Sequence, residues 1–132
     1  MELSKAKKVR DVMTRGVVTV PLDTPVKEIV RILVDANISG IAVIAQDCKV
    51  GGVISEIDII KSIDRDWNLL TAEDVMSSSV RTVDPEMSLT KAAHIMNELN
   101  IHRLLVLSLS PAYGFPVGIL TASDILKAIA RG

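Results

Sequence analysis

The stretch Asp-Val-Met-Thr at residues 11–14 returns 63 residues later as Asp-Val-Met-Ser at residues 74–77. Aligning 11–44 with 74–107 at this offset gives ten identities among 34 pairs, and eight of the other 24 pairs exchange one aliphatic residue for another. Identities kept in one order over so much of the chain indicate an internal duplication. Two copies do not make a solenoid, so we expect two halves packed about a pseudo-twofold axis.

Each copy begins with a short β-rich run, Val17–Val20 in copy one, followed by a helix. Thr24 is the expected cap of that helix and Pro25 belongs to its first turn. Apolar residues at helical spacing then predict one buried face.

The second part of each copy is predicted to hold two strands and another helix. Asn37 and Asn100 stand where a left-handed helix stop is needed. The unbroken apolar runs Ile41–Ile44 and Leu104–Leu107 indicate buried strands. A third strand and a second helix follow in both copies.

The predicted order is therefore β-α-β-β-α, twice, which places the chain in the α/β (α+β) class. The repeats are assigned to residues 9–62 and 72–131, together forming one compact module. The alignment resumes after residue 51 at an offset of 66, so the second copy has three extra residues within Ser108–Val117. The role of that insert is open.

Composition excludes several classes of protein. Hydrophobic residues make up 48% of the 132 residues and aromatics only 2%, so the core must be aliphatic. The net charge of −1 argues against a general nucleic-acid binder. Cys48 is the sole cysteine, which excludes an internal disulfide and a multi-cysteine metal site. With no signal peptide and no apolar run of about 20 residues, we expect a soluble cytoplasmic protein without nucleic-acid or membrane partners.

The pattern Gly-aliphatic-aliphatic-Ser/Thr-x-x-Asp occurs at 52–58 and at 118–124. In the structural interpretation, its hydroxyl and carboxylate form a capping box for the helix that follows. In the functional interpretation, the hydroxyl and the helix N-terminus hold a phosphate, and the Asp accepts hydrogen bonds from vicinal ribose hydroxyls. The glycine would then let a ligand approach the backbone closely.

These features resemble the CBS domain family. The resemblance rests on Asp-Val-Met in both copies, on Val-x-Thr-Val at 17–20 and 80–83, and on the two Gly-to-Asp motifs. It covers nearly all of residues 9–130. In that family a tandem pair forms a flat disc with two clefts, and many members bind AMP, ADP, ATP or S-adenosylmethionine there.

The resemblance implies a role for each part of the motif. By it, Asp58 and Asp124 bind ribose, Ser55 and Thr121 lie beside the phosphate, and the first strand of each copy flanks the base. The ligand-binding residues implied are Val17, Thr19, Ser39, Gly40, Ser55 and Asp58 in copy one, and Val80, Thr82, Ile101, His102, Arg103, Thr121 and Asp124 in copy two.

The two copies differ where the second strand begins. Copy two has His102-Arg103-Leu104, which is similar to the His-Arg-Leu motif of the nucleotide-sensing subunit of AMP-activated protein kinase, where those side chains contact phosphates. Copy one has Ser39-Gly40 and no positive charge. The alternative for His102 and Arg103 is an ordinary solvated strand end.

No enzymatic activity, catalytic residue or metal site is expected. His94 and His102 are the only histidines, and His94 lies off the apolar stripe of its helix. We therefore expect a regulatory, energy-sensing module that binds an adenine nucleotide between its repeats and signals to a partner protein of unknown identity. The alternatives are a ligand-free dimerisation or scaffold module and an S-adenosylmethionine sensor. The high apolar content of a small chain also favours a homodimer.

Overall fold

The computed structural model describes residues 7–38, 40–47, 49–78, 80–108 and 115–131. Ser39, Cys48 and most of the predicted insert lie outside the described residues. In chain order the elements are α1 (Val9–Val12), β1 (Thr14–Arg15), β2 (Thr19–Pro21), α2 (Val26–Asp35), β3 (Gly40–Ile44), β4 (Val50–Ser55), α3 (Glu56–Lys61), α4 (Ala72–Val75), β5 (Thr82–Val83), α5 (Leu89–Leu99), β6 (Arg103–Ser108), β7 (Phe115–Thr121) and α6 (Ala122–Ala130).

The duplicated β-α-β-β-α order is confirmed, as β2-α2-β3-β4-α3 in copy one and β5-α5-β6-β7-α6 in copy two. In each copy the first strand runs parallel to the second, and the second runs antiparallel to the third. The short β1 adds to the copy-two sheet, antiparallel to β7. The predicted mixed α and β fold class is therefore correct.

The chain divides into two compact units that do not follow the sequence repeats. Unit one holds Val18–Val80, and unit two holds the described residues before Val18 together with those after Val80. The Asp-Val-Met stretch of copy one thus belongs to the unit that contains copy two. The corresponding stretch of copy two belongs to unit one.

A glycine in the third strand of each copy makes room for a methionine from the Asp-Val-Met stretch of the other copy. We call these two stretches the exchanged segments, because each belongs to the unit that contains the other copy. A Cβ atom on Gly118 would lie 2.8 Å from Met13 Sδ and 2.7 Å from the carbonyl oxygen of Thr14. A Cβ atom on Gly52 would lie 2.7 Å from Met76 Sδ and 2.8 Å from the carbonyl oxygen of Ser77. The expectation that these glycines admit a ligand is therefore wrong, because protein atoms already occupy the space.

The helices bury the faces that the spacing predicts. Val26, Ile29 and Leu33 of α2 are buried, and so are the matched Leu89, Ala92 and Met96 of α5. The two strands that follow, β3 and β6, are largely buried as predicted.

The predicted left-handed helix stops are confirmed, with φ of 51° at Asn37 and 52° at Asn100. The predicted cap at Thr24 is wrong, since Pro25 is the N-cap of α2 and provides no side-chain bond. The chain before α2 is instead held by α4, where the Ala72 amide donates to the Thr24 carbonyl oxygen at 2.8 Å.

Trp67 fixes the segment between α3 and α4 to unit one. Its indole is half-buried, and Nε1 donates to the carbonyl oxygen of Ser62 at 3.0 Å and to its Oγ at 3.1 Å. The ring packs against the apolar core of the unit, which holds this linker in place. Within the described ranges, every helix is too short or too polar to cross a membrane.

Candidate ligand site

Each candidate site forms where the third strand of a copy meets the following helix. β4 ends at Ser55, which is the N-cap of α3, and β7 ends at Thr121, which is the N-cap of α6. Antiparallel pairing sets Gly40 opposite Ser55 and Arg103 opposite Thr121. The register therefore brings the start of the second strand beside the cap in both copies.

In copy one the serine hydroxyl is bound to the aspartate. Asp58 Oδ2 accepts the Ser55 amide at 2.8 Å and the Ser55 hydroxyl at 2.9 Å. An ionised carboxylate only accepts hydrogen bonds, so the hydroxyl must be the donor. The single hydroxyl hydrogen of Ser55 is therefore already used by Asp58 and is not available to an anion.

In copy two the bond from the hydroxyl to the carboxylate is not found between the matched, described residues Thr121 and Asp124. Asp124 Oδ2 accepts the Thr121 amide at 3.0 Å, while Thr121 Oγ1 accepts the Asp124 amide at 3.1 Å. Because the threonine oxygen acts as an acceptor here, its hydroxyl hydrogen is left to donate to another group. The predicted capping box is thus present in both copies, with different use of the hydroxyl.

A residue that the sequence analysis did not select also contacts the copy-two aspartate. The Thr14 hydroxyl donates to Asp124 Oδ1 at 3.2 Å and to Oδ2 at 3.4 Å. Among the bonds of the described residues, the matched Ser77 makes no such contact with Asp58. The sequence does show a hydroxyl residue directly after Asp-Val-Met in both copies. It does not show that this residue contacts the aspartate of the other copy.

His102 and Arg103 lie beside the start of α6. The Ala122 amide donates to the His102 carbonyl oxygen at 3.0 Å, which holds the beginning of β6 next to the helix N-terminus. The His102 side chain is exposed and Arg103 is half-buried. Ile101, also half-buried, ends the turn after α5, where its amide donates to the Met96 carbonyl oxygen.

The first strand of each copy starts later than predicted. β2 begins at Thr19 and β5 at Thr82, so Val17 and Val80 precede the strands. The strand begins at Thr19 because this is the first residue of copy one that pairs with β3. Thr19 lies opposite Ala42, two residues beyond Gly40. Thr19 and Thr82 are exposed, whereas Val17 and Val80 are half-buried.

Groups of metal-binding residues are not found at these positions. Among the described residues, no three His, Cys, Asp or Glu side chains come together as a potential metal site. The exposed His94 agrees with its position off the apolar stripe of α5.

Comparison with known proteins gives relatives along the whole chain. The protein MJ1426 of Methanocaldococcus jannaschii is 27% identical over 155 residues, covering 92% of this chain and 90% of the relative. Other curated relatives are longer, and the chain spans about a third of their length, 34% and 33% in two cases. Some of the longer relatives have enzyme names, among them a homoserine O-acetyltransferase from Methanohalobium evestigatum, of which the chain covers 24%.

Two solved structures are informative about ligands. The CBS domain pair of MJ0100, in complex with 5′-methylthioadenosine and S-adenosylmethionine, matches with a TM-score of 0.81 and 25% identity over 95% of this chain and 97% of that one. CBSX2 in complex with AMP matches with a TM-score of 0.77 and 26% identity over 94% and 96%. The model of the CBS domain family matches residues 9–65 and 72–131. The chain therefore belongs to the CBS domain family and carries two CBS domains in tandem.

Proposed function

We propose that this protein is a regulatory module that binds an adenine nucleotide and signals its presence to a partner protein. The observation that carries the proposal is the start of α6, where strand pairing sets Arg103 opposite Thr121 and Thr121 is hydrogen-bonded to Asp124. The hydroxyl and the guanidinium are donors for a phosphate, and the carboxylate is an acceptor for ribose hydroxyls. The ligands of the two neighbouring CBS pairs share the adenosyl group, which supports this chemistry.

Arg103 favours a nucleotide over S-adenosylmethionine. A guanidinium at the site attracts an anionic phosphate, whereas the sulfonium of S-adenosylmethionine is itself a cation. His102, the residue before Arg103, adds a ring N–H donor for phosphate. AMP, ADP and ATP are therefore the expected ligands, and S-adenosylmethionine is the alternative.

Thermal unfolding tests ligand binding directly. A ligand that binds only the folded state stabilises it by about 2.7 kcal/mol at a hundredfold excess over Kd. We expect AMP, ADP or ATP at millimolar concentration to raise Tm more than S-adenosylmethionine does. If all four leave Tm unchanged, the ligand-free scaffold module becomes the better interpretation.

Calorimetric titration of Arg103→Gln tests the phosphate contact. Loss of a hydrogen bond to a charged group weakens binding about 10- to 150-fold, so AMP should suffer by this amount. Adenosine has no phosphate and serves as the matched ligand that should be little affected. If the AMP affinity of the variant stays within about twofold of the parent, His102 and Arg103 form an ordinary solvated strand end and do not bind phosphate.

The apolar surface of unit one supports a homodimer. Val34, Ile57 and Ile60 are 71%, 57% and 57% exposed, and Val34 and Ile60 line a groove of about 470 Å³ between α2 and α3. The positions matched to the first two in copy two are the exposed polar residues Asn97 and Ser123. We propose that a second copy of the chain covers the unit-one face, because one copy alone leaves these side chains in water.

Sedimentation at micromolar concentration tests the dimer. The parent should sediment at twice the 14.3 kDa chain mass. Ile60→Glu should give monomers, because dimerisation would bury an unpaired charge. Leu126→Glu, at the matched exposed position of α6, is the control and should remain dimeric; a monomeric parent would contradict the proposal.

A further inference from the structure

The carboxylate of Asp124 is held by groups from two distant parts of the chain. Thr121 precedes it by three residues, while Thr14 belongs to the exchanged segment at the other end of the chain, 110 residues away. β1 fixes this segment to the sheet, with Thr14 opposite Ile119. The contact is thus set by strand pairing, and its donor is an exposed hydroxyl.

The two bonds leave the carboxylate ready for a pair of donors. An ionised carboxylate has about four acceptor positions, two on each oxygen. The Thr121 amide takes a position on Oδ2, and the Thr14 hydroxyl lies closer to Oδ1, at 3.2 Å, than to Oδ2, at 3.4 Å. Because a hydroxyl has one hydrogen and the shorter contact is to Oδ1, we assign that hydrogen to Oδ1. An acceptor position then remains on each oxygen, which suits the two adjacent hydroxyls of a ribose.

The copy-one aspartate is not arranged in this way. Both bonds from Ser55 fall on Asp58 Oδ2, at 2.8 and 2.9 Å. In the part of the chain that the structure describes, no hydroxyl equivalent to Thr14 bonds to Asp58 Oδ1. A ribose that used both oxygens of Asp58 would have to displace the Ser55 hydroxyl.

We propose that Thr14 is a positioning residue that orients Asp124 and makes the copy-two site selective for ribonucleotides over 2′-deoxyribonucleotides. The inference rests on the proposed nucleotide binding and adds the residue that controls sugar specificity. A carboxylate fixed at both oxygens accepts the 2′ and 3′ hydroxyls together, because neither bond requires it to rotate. A carboxylate fixed at one oxygen loses this simultaneous contact.

Calorimetric titration with AMP and 2′-deoxy-AMP tests the role of Thr14. The parent should prefer AMP by about tenfold or more, since the deoxy ligand lacks one hydrogen bond to a charged acceptor. Thr14→Val keeps the branched shape without the hydroxyl, and we expect the preference to fall to about threefold or less. Thr14→Ser restores the hydroxyl and should restore the preference.

Ser77→Ala is the matched control, because it removes the corresponding hydroxyl in the other unit and should leave both affinities unchanged. Tm of each variant reports whether the fold is kept, and Thr14→Ala replaces Thr14→Val if the valine variant does not fold. An unchanged preference in the folded variant, with AMP still bound by the parent, overturns the role of Thr14 alone. A parent that binds neither ligand overturns the proposed function and this inference together.

Discussion

Copy one and copy two carry the same capping box and differ in one bond of its hydroxyl. Ser55 donates to the carboxylate of Asp58, whereas the bonds found between Thr121 and Asp124 include only acceptance by the Thr121 hydroxyl. The helix start is satisfied in both cases, so stability does not distinguish them. What differs is whether a hydroxyl hydrogen remains for a ligand. A repeated sequence motif therefore does not ensure a repeated site.

The two exchanged segments, which carry Asp-Val-Met in each copy, also differ in the ion pairs that hold them. In unit two, Glu86 pairs with Lys8 at 2.9 Å and with Arg10 at 2.8 Å, which ties the segment carrying Thr14 to the loop before α5. The positions matched to these cations in unit one are Thr71 and Glu73. Ion pairs thus reinforce the segment that contacts Asp124, and among the described residues no ion pair is found at its counterpart.

The largest effect should come from Asp124→Asn compared with Asp58→Asn. Asparagine keeps the size but is a weaker acceptor, so Asp124→Asn should weaken AMP and adenosine alike, by about 10- to 150-fold. If copy two is the principal site, Asp58→Asn should weaken them by less than about threefold. Calorimetric titration measures both variants.

Denaturant unfolding supplies the control for this pair. Each aspartate accepts its cap amide, at 2.8 Å in copy one and 3.0 Å in copy two, so the two variants should lose similar stability, about 0.5–1.5 kcal/mol. If the two variants lose similar stability but unequal affinity, the role of the aspartate in ligand binding is distinct from its role in capping the helix. Equal losses of affinity would abolish the distinction between the copies.

The two glycines should respond to substitution equally, because the exchanged methionines are common to both units. Gly118→Ala and Gly52→Ala each push a Cβ atom to 2.7–2.8 Å from a backbone oxygen, which cannot move aside as a flexible side chain can. We expect each to lose about 1–3 kcal/mol in denaturant unfolding.

Gly51→Ala is the matched control for these variants. Its Cβ atom would make only ordinary contacts, at 3.6–3.7 Å, so its stability should stay near that of the parent or rise by up to about 1 kcal/mol. If Gly118→Ala and Gly52→Ala are as stable as Gly51→Ala, the close packing of the methionines does not govern the third strand.

Much of the fold follows from the sequence because local patterns determine it. Apolar spacing gives the buried faces of α2 and α5, and asparagine tolerates the left-handed φ that ends both helices. The capping boxes are predicted because their partners lie three residues apart. The predicted cap of α2 is wrong by one residue because the chain before this helix is held by contacts with α4.

The rest depends on contacts between distant residues, which one sequence does not reveal. The duplication is visible, but the transfer of each Asp-Val-Met stretch to the opposite unit is a tertiary arrangement. The close packing at Gly52 and Gly118 and the contact between Thr14 and Asp124 both result from this arrangement, so the sequence repeat does not predict them. The direction of the Ser55 and Thr121 hydroxyl bonds likewise follows from side-chain geometry within a motif that looks the same in both copies.

The smallest effect should come from Glu86→Gln, which removes the ion pairs of unit two. The hydrogen bond from Lys8, reinforced by the charge of Arg10, lowers the pKa of Glu86 below its ordinary value of 4.5. The folded carboxyl holds its proton less tightly than the unfolded one, so this stabilisation is present above pH 4.5 and is lost as the pH falls through the lowered pKa. These are exposed pairs, and salt should weaken them as well.

Amide hydrogen exchange can detect so local a change. The Val9 amide donates to the Met87 carbonyl oxygen and the Arg10 amide to that of Pro85, both at 2.9 Å, so loosening of the segment exposes them. Glu86→Gln should speed their exchange at neutral pH and low salt, and the difference from the parent should vanish in acid. The matched amides of Ala72 and Glu73, which donate to Thr24 and Leu22, should exchange as in the parent because Glu86 belongs to the other unit. Faster exchange in both units would mean that the substitution destabilises the whole fold. No change at Val9 and Arg10 would mean that the pairing of β1, and not the ion pairs, holds Thr14 beside Asp124.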